Sequence, residues 1–129
     1  MERVLLIGFG GAIGTVLRYV TSGLAVKWLG ADFPYGTLIV NLVGAFVIGL
    51  VQEIGAGTLL IPDEVRLFLT TGMMGGLTTY STFSYETVRL MEASAWSQAW
   101  INVLVTTTIG LSLCFLGIAV GRLFLTFRG

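Results

Sequence analysis

Residues 70–86 read TTGMMGGLTTYSTFSYE and combine two adjacent glycines, a dense run of hydroxyls and aromatic rings in an otherwise apolar chain. Such a segment in the middle of a membrane span is expected to break the third helix, between Gly75 and Thr78. A break frees backbone carbonyls and N–H groups, which lipid cannot satisfy, so they must face protein, water or a small cation. A simple glycine kink, with hydroxyls bonded back one turn, is the alternative. The hydroxyl density of residues 78–84 favours a polar or ion-lined path.

The composition of the whole chain indicates a membrane protein. Its 129 residues are 55% hydrophobic and 11% charged, whereas soluble domains carry roughly a quarter charged residues. A bilayer core requires about 20 apolar residues per helix. Four stretches meet this length, at about residues 4–28, 35–54, 65–90 and 96–127. We therefore predict an all-α membrane protein, one domain over residues 1–129, with four transmembrane helices and a broken third helix.

Several classes of function are disfavoured by composition. Seven Lys and Arg balance seven Asp and Glu, so no basic field for nucleic acid is expected. Histidine is absent and Cys114 is the single cysteine, which excludes an intrachain disulfide and Cys–His catalysis. Since no nucleophile has a base beside it, we do not expect an enzyme. A cleaved signal peptide is disfavoured because the first apolar stretch contains Arg18 and continues past it.

The distribution of basic residues gives only a weak prediction of orientation. Four helices put both termini and the second connector on the same side of the membrane. That side carries Arg3, Arg66, Arg122 and Arg128, and the other side carries Lys27 and Arg89. The positive-inside rule predicts that the side with more Lys and Arg faces the cytoplasm. The excess here is small, so the chain is expected to insert in both orientations. Glycines spaced four apart, as in Gly10 and Gly14, predict close helix packing.

Four side chains are candidates for contact with an ion. Tyr80 and Phe83 lie three positions apart on one helical face, where their positive ring edges are able to solvate an anion or the rings simply pack. Asn41 in the second span either donates to an anion or forms a helix–helix hydrogen bond. Arg18 either extends to the membrane surface or lies in an aqueous vestibule.

These segments resemble the Fluc (CrcB) family of fluoride channels along essentially the whole chain. The resemblance rests on residues 11–19, on residues 36–42 and, most specifically, on residues 75–86. It implies a passive channel that exports fluoride across the cell inner membrane and lowers fluoride toxicity. It also implies a dual-topology antiparallel homodimer with two fluoride pathways, and a structural sodium ion at the dimer centre.

The same resemblance implies functional roles for individual residues. The implied anion pathway comprises Asn41, Tyr80, Ser81, Thr82, Phe83 and Thr106. Backbone carbonyls of Gly75 and Thr78 are expected to bind Na⁺, and Arg18 is expected in the vestibule. Two departures from the family pattern stand out: Tyr80 replaces a usual phenylalanine, and Gly110 and Cys114 replace hydroxyl-bearing positions on the fourth helix.

Two other functions fit the sequence less well than a fluoride channel does. A small proton-coupled multidrug-type exporter requires a carboxylate in the middle of its first helix, and no acid lies between Arg3 and Lys27. A membrane scaffold without transport activity would need the packing glycines but not the hydroxyl run of residues 78–84.

Overall fold

The computed structural model describes residues 1–128, and within this range its regular secondary structure is helical. The α-helices are α1 (Glu2–Leu29), α2 (Tyr35–Gly57), α3 (Asp63–Leu67), α4 (Gly75–Leu77), α5 (Tyr80–Glu92) and α6 (Trp96–Arg128), with a π-helical segment (Phe68–Met74) between α3 and α4. Three of them, α1, α2 and α6, are long and apolar enough to cross a membrane. Their bounds agree with the first, second and fourth predicted spans to within three residues.

Glycines allow α1 to approach the π-helical segment and α4 closely. A Cβ atom added at Gly10 would lie 2.7 Å from the carbonyl oxygen of Phe68, and one added at Gly76 would overlap the carbonyl of Gly11. Neither position has room for a methyl group. Close backbone contact of this kind is how membrane helices gain packing energy without a hydrophobic driving force, so the packing predicted from glycine spacing is confirmed here.

Helices α2 and α6 pack along one another and leave apolar side chains on the outside. Gly117 lies against the carbonyl of Phe46, and near the far end of the pair Arg122 Nε donates to Glu53 Oε1 at 2.9 Å. On the outer surface, Phe9 of α1 and Phe115 of α6 are 65% and 71% exposed. Exposed aromatic rings on long apolar helices suit contact with lipid, so the membrane assignment holds.

The helical backbone is interrupted between α4 and α5, just after the glycine pair. Gly75 and Gly76 are helical, and the two residues with extended backbone are Thr78 (ψ 155°) and Thr79 (φ −154°, ψ 114°). Any residue adopts these angles, so glycine is not required at this point. Gly76 itself serves the close approach of α4 to α1, since a Cβ atom there would overlap the Gly11 carbonyl.

Candidate functional site

The side-chain amide of Asn41 on α2 binds the extended backbone at Thr79 through two hydrogen bonds. The Thr79 N–H donates to Asn41 Oδ1 at 2.8 Å, and Asn41 Nδ2 donates to the Thr79 carbonyl at 3.2 Å. The amide thus replaces a neighbouring peptide group and satisfies backbone that the helix has released. Of the two roles left open for Asn41, the helix–helix bond is present, and one N–H of the amide remains for another acceptor.

The side chain of Thr79 caps the start of α5. Its Oγ1 accepts from the Thr82 N–H at 3.2 Å and donates to Thr82 Oγ1 at 3.1 Å. Ser81 Oγ lies 3.3 Å from the same oxygen. An N-cap threonine satisfies one of the N–H groups that the first turn leaves free. The hydroxyls of Ser81 and Thr82, which were predicted to line the anion pathway, therefore both lie within hydrogen-bond distance of the Thr79 hydroxyl.

An open cavity of about 320 Å³ lies beside this cap. It is lined by Asn41, Thr78, Thr79, Tyr80, Phe83, Thr106 and Thr107. The Tyr80 and Phe83 rings are tilted at 47° with centroids 5.8 Å apart, a usual aromatic pair geometry. Within residues 1–128 no charged side chain lines the cavity, and Thr106 Oγ1 is buried without a protein hydrogen-bond partner. Four residues of the predicted anion pathway therefore meet here.

Other predicted residues lie elsewhere. Ser81 and Thr82 border Thr79 but do not line the cavity. Arg18 on α1 is half-buried, and its Nε donates to the carbonyl of Gly76 at 3.1 Å. Cys114 belongs to the packed contact between α2 and α6, where its carbonyl faces Gly49. Of the three fourth-helix positions named from the sequence (Thr106, Gly110 and Cys114), Thr106 alone lines the cavity.

The carbonyls of Gly75 and Thr78 have lost their helical donors. In a continuous helix the Thr79 N–H would donate to the Gly75 carbonyl. Here it donates to Asn41 Oδ1 instead. Likewise, the Thr82 N–H would donate to the Thr78 carbonyl in a continuous helix, but it donates to the Thr79 hydroxyl oxygen. Both oxygens thus lack the usual helical donor, and unwound carbonyls of this kind are able to bind a small cation.

Sequence reasoning missed a second amide contact, between α6 and α5. Asn102 Nδ2 donates to Thr87 Oγ1 at 2.9 Å, and Thr87 Oγ1 donates to the carbonyl of Phe83 at 2.7 Å. Thr79 was missed too, although a threonine just ahead of a helical stretch is a usual N-cap signal. For Thr87 no local signal exists, since its partner lies on another helix.

Comparison with known proteins gives a consistent result. The family described as "CrcB-like protein, Camphor Resistance (CrcB)" matches residues 5–118. A protein of Geobacter sp. (strain M21), named Fluoride-specific ion channel FluC, is 48% identical over 122 residues, covering 95% of this chain and 98% of the relative. A protein with the same name from Clostridium novyi (strain NT) is 47% identical, over 95% of this chain and 94% of the relative. Another from Magnetococcus marinus (strain ATCC BAA-1437 / JCM 17883 / MC-1) is 41% identical, over 94% of this chain and 98% of the relative.

Proposed function

This chain belongs to the CrcB-like protein family, and on that premise we propose that it is a fluoride-specific ion channel that passively exports fluoride from the cytoplasm. Its relatives are named as ion channels, and it is not an enzyme. The observation that carries the proposal is the uncharged cavity lined by Asn41, Tyr80, Phe83 and Thr106. Export through it would lower fluoride toxicity without any coupled energy source.

The chemistry of the cavity suits a small anion that has shed its water. Fluoride must exchange hydration for other donors, and the free N–H of Asn41 and the unpartnered hydroxyl of Thr106 are two of them. The positive ring edges of Tyr80 and Phe83 supply further favourable electrostatics. Arg18 raises the anion concentration in the vestibule by its positive charge.

A proton-coupled multidrug-type exporter is not supported. The relatives carry the name of a fluoride-specific channel, and no Asp or Glu lines the cavity beside Phe83. Proton coupling needs a group that binds and releases a proton along the substrate path. Passive conduction needs none, and the lining provides none.

The working unit is a dual-topology antiparallel homodimer. The weak Lys and Arg bias favours insertion in both orientations. The cavity beside Phe83 is open on one side, and Tyr80 at its rim is 80% exposed in the single chain, so a second copy would close the path. Reporter fusions at the C-terminus should show both orientations in one population of cells. A single orientation for every copy would exclude the antiparallel arrangement.

Residues 63–92 cross the bilayer as one broken span whose exposed carbonyls bind a structural sodium ion. Gly75 and Thr78 fit this role because the N–H groups that would bond their carbonyls donate elsewhere. When bound at the dimer centre, the ion supplies a fixed positive charge that joins the two broken spans. Among residues 1–128 no cluster of three acidic or cysteine side chains offers another cation site.

The protein resides in the cell inner membrane as a multi-pass protein. Helices α1, α2 and α6 provide three continuous apolar spans, and the broken span provides the fourth. Fluoride, lipid and a second copy of the chain are its partners.

Ion flux from liposomes tests the proposed function. Purified protein reconstituted into liposomes loaded with fluoride or with chloride should release fluoride rapidly and chloride hardly at all, as recorded by ion-selective electrodes. Liposomes without protein set the background leak. Folded protein that releases no fluoride above that leak, or that releases both halides equally, would refute a fluoride-specific channel.

A further inference from the structure

A buried polar chain connects α6 to the carbonyl of Phe83. The amide of Asn102 donates to the Thr87 hydroxyl at 2.9 Å, and that hydroxyl donates to the Phe83 carbonyl at 2.7 Å. Asn102 is only 2% exposed and Thr87 only 5%. Since a hydroxyl has one proton, its use toward Phe83 leaves only its lone pairs for Asn102, and the direction of both bonds is fixed.

A threonine bonded one turn back is common in this chain and needs no special role. Thr108 donates to the Leu104 carbonyl and Thr126 to the Arg122 carbonyl, and both side chains face outward. Thr87 differs because the amide of a second helix binds its hydroxyl. Buried amides without partners are costly in the membrane, so this bond restricts how α5 lies against α6.

Helix α5 has few other attachments. Within residues 1–128, Thr87 is its one residue classed as buried. The backbone just ahead of the helix is bound at Thr79 by Asn41, and its middle is bound at Thr87 by Asn102. Phe83 lies halfway between these two contacts, four positions from each. The rotation of α5, and with it the direction of the Phe83 ring, therefore depends on both asparagines.

We propose that Asn102 is a positioning residue of the fluoride path, which acts through Thr87 to hold the Phe83 ring at the cavity. The inference rests on the proposed function. A ring attracts an anion at its edge and repels it at its face, and successive helical positions differ by about 100°. A rotation of α5 therefore turns the ring edge away from the cavity and weakens the attraction for an anion. Loss of the Asn102 bond should lower fluoride flux and also fluoride selectivity.

Four variants separate positioning from general stability. Asn102→Leu removes the amide at similar volume, and Thr87→Val removes the hydroxyl at nearly constant shape. Thr87→Ser keeps the hydroxyl and should restore the wild-type behaviour. Thr108→Val is the matched control, because it deletes the same type of backbone bond on α6 where no second helix is involved. All four are compared at equal amounts of monodisperse protein.

The measurements are halide efflux from liposomes and the ¹⁹F resonance of p-fluorophenylalanine placed at position 83. Asn102→Leu and Thr87→Val should each lower fluoride efflux by about tenfold or more, the size expected for one lost buried hydrogen bond. Both should reduce the fluoride-to-chloride ratio and shift or broaden the ¹⁹F resonance. Thr87→Ser and Thr108→Val should leave all three unchanged.

The outcomes keep this inference separate from the proposed function. If wild-type protein does not conduct fluoride, the proposed function fails, while the ¹⁹F resonance still tests whether Asn102 positions the ring. If wild-type protein conducts and Thr87→Val, which is the milder change, retains its flux, selectivity and resonance, the positioning role is refuted. Equal losses in Thr87→Val and Thr108→Val would refute it as well.

Discussion

The Asn41 amide and the Thr79 peptide group bind each other at 2.8 and 3.2 Å, although 38 positions separate them in the chain. One side chain of α2 therefore supports the extended backbone ahead of α5 and also lines the cavity, with one amide N–H left for another acceptor. In the proposed channel, support of the backbone and contact with the ion would be combined in this single residue.

Asn41→Asp tests both roles together. A carboxylate in the cavity would repel fluoride by about 4 kcal/mol at 4 Å and an effective dielectric constant near 20, and it would face the Thr79 carbonyl without a proton to donate. Fluoride efflux should fall by orders of magnitude while the proposed dimer stays intact. Gln98→Glu, an exposed change of the same chemistry, is the control. Unchanged efflux in Asn41→Asp would leave Asn41 as a helix–helix contact only.

Two substitutions distinguish the roles of the Tyr80 and Phe83 rings. Tyr80→Phe keeps the positive ring edge and should keep conduction, whereas Phe83→Ile removes the edge and should abolish it. If the Tyr80 hydroxyl carries the site instead, its loss should cost about 1–3 kcal/mol, which is roughly tenfold to a hundredfold in rate. Efflux at equal protein loading distinguishes the cases. Normal conduction in both variants would remove the rings from the ion path.

Replacement of sodium tests the carbonyl site. Protein purified and reconstituted in lithium or potassium in place of sodium should form a loosened or inactive dimer, because the Gly75 and Thr78 carbonyls are expected to bind Na⁺ specifically. The dimer fraction by size-exclusion chromatography and fluoride efflux are measured in the three salts. Equal dimer fraction and equal flux in all of them would refute a structural sodium ion.

Gly76→Ala tests the close contact between α1 and α4. Its Cβ would overlap the Gly11 carbonyl, and overpacking of this kind typically costs about 1–3 kcal/mol. The thermal unfolding midpoint in detergent should fall clearly. Gly8→Ala is the matched control, since no atom lies within 4 Å of its added Cβ. Because alanine has the higher helix propensity, Gly8→Ala should not lower the midpoint. A Gly76→Ala midpoint that stays at or above that of Gly8→Ala would refute the close contact.

Features that depend on local sequence patterns were predictable, and contacts between segments distant in the chain were not. Hydrophobic length gave three spans, and helical spacing put Tyr80 and Phe83 side by side as the structure has them. The involvement of Thr79 in the interruption could not be predicted, because it depends on the hydrogen bonds that Asn41, on a distant helix, forms with the Thr79 peptide group. The bond from Asn102 to Thr87 depends on the rotation of two helices, which apolar patterning alone leaves undetermined.

The interruption ahead of α5 also has a consequence for biogenesis. Two of the groups that stabilise it, Arg18 at the Gly76 carbonyl and Asn41 at the Thr79 peptide, belong to other helices. Neither contact exists until α1 and α2 have packed against residues 63–92. In hydrocarbon, a lone segment satisfies its backbone best as a continuous helix. We therefore expect the segment to enter the bilayer unbroken and to acquire its interruption only as a late step of assembly.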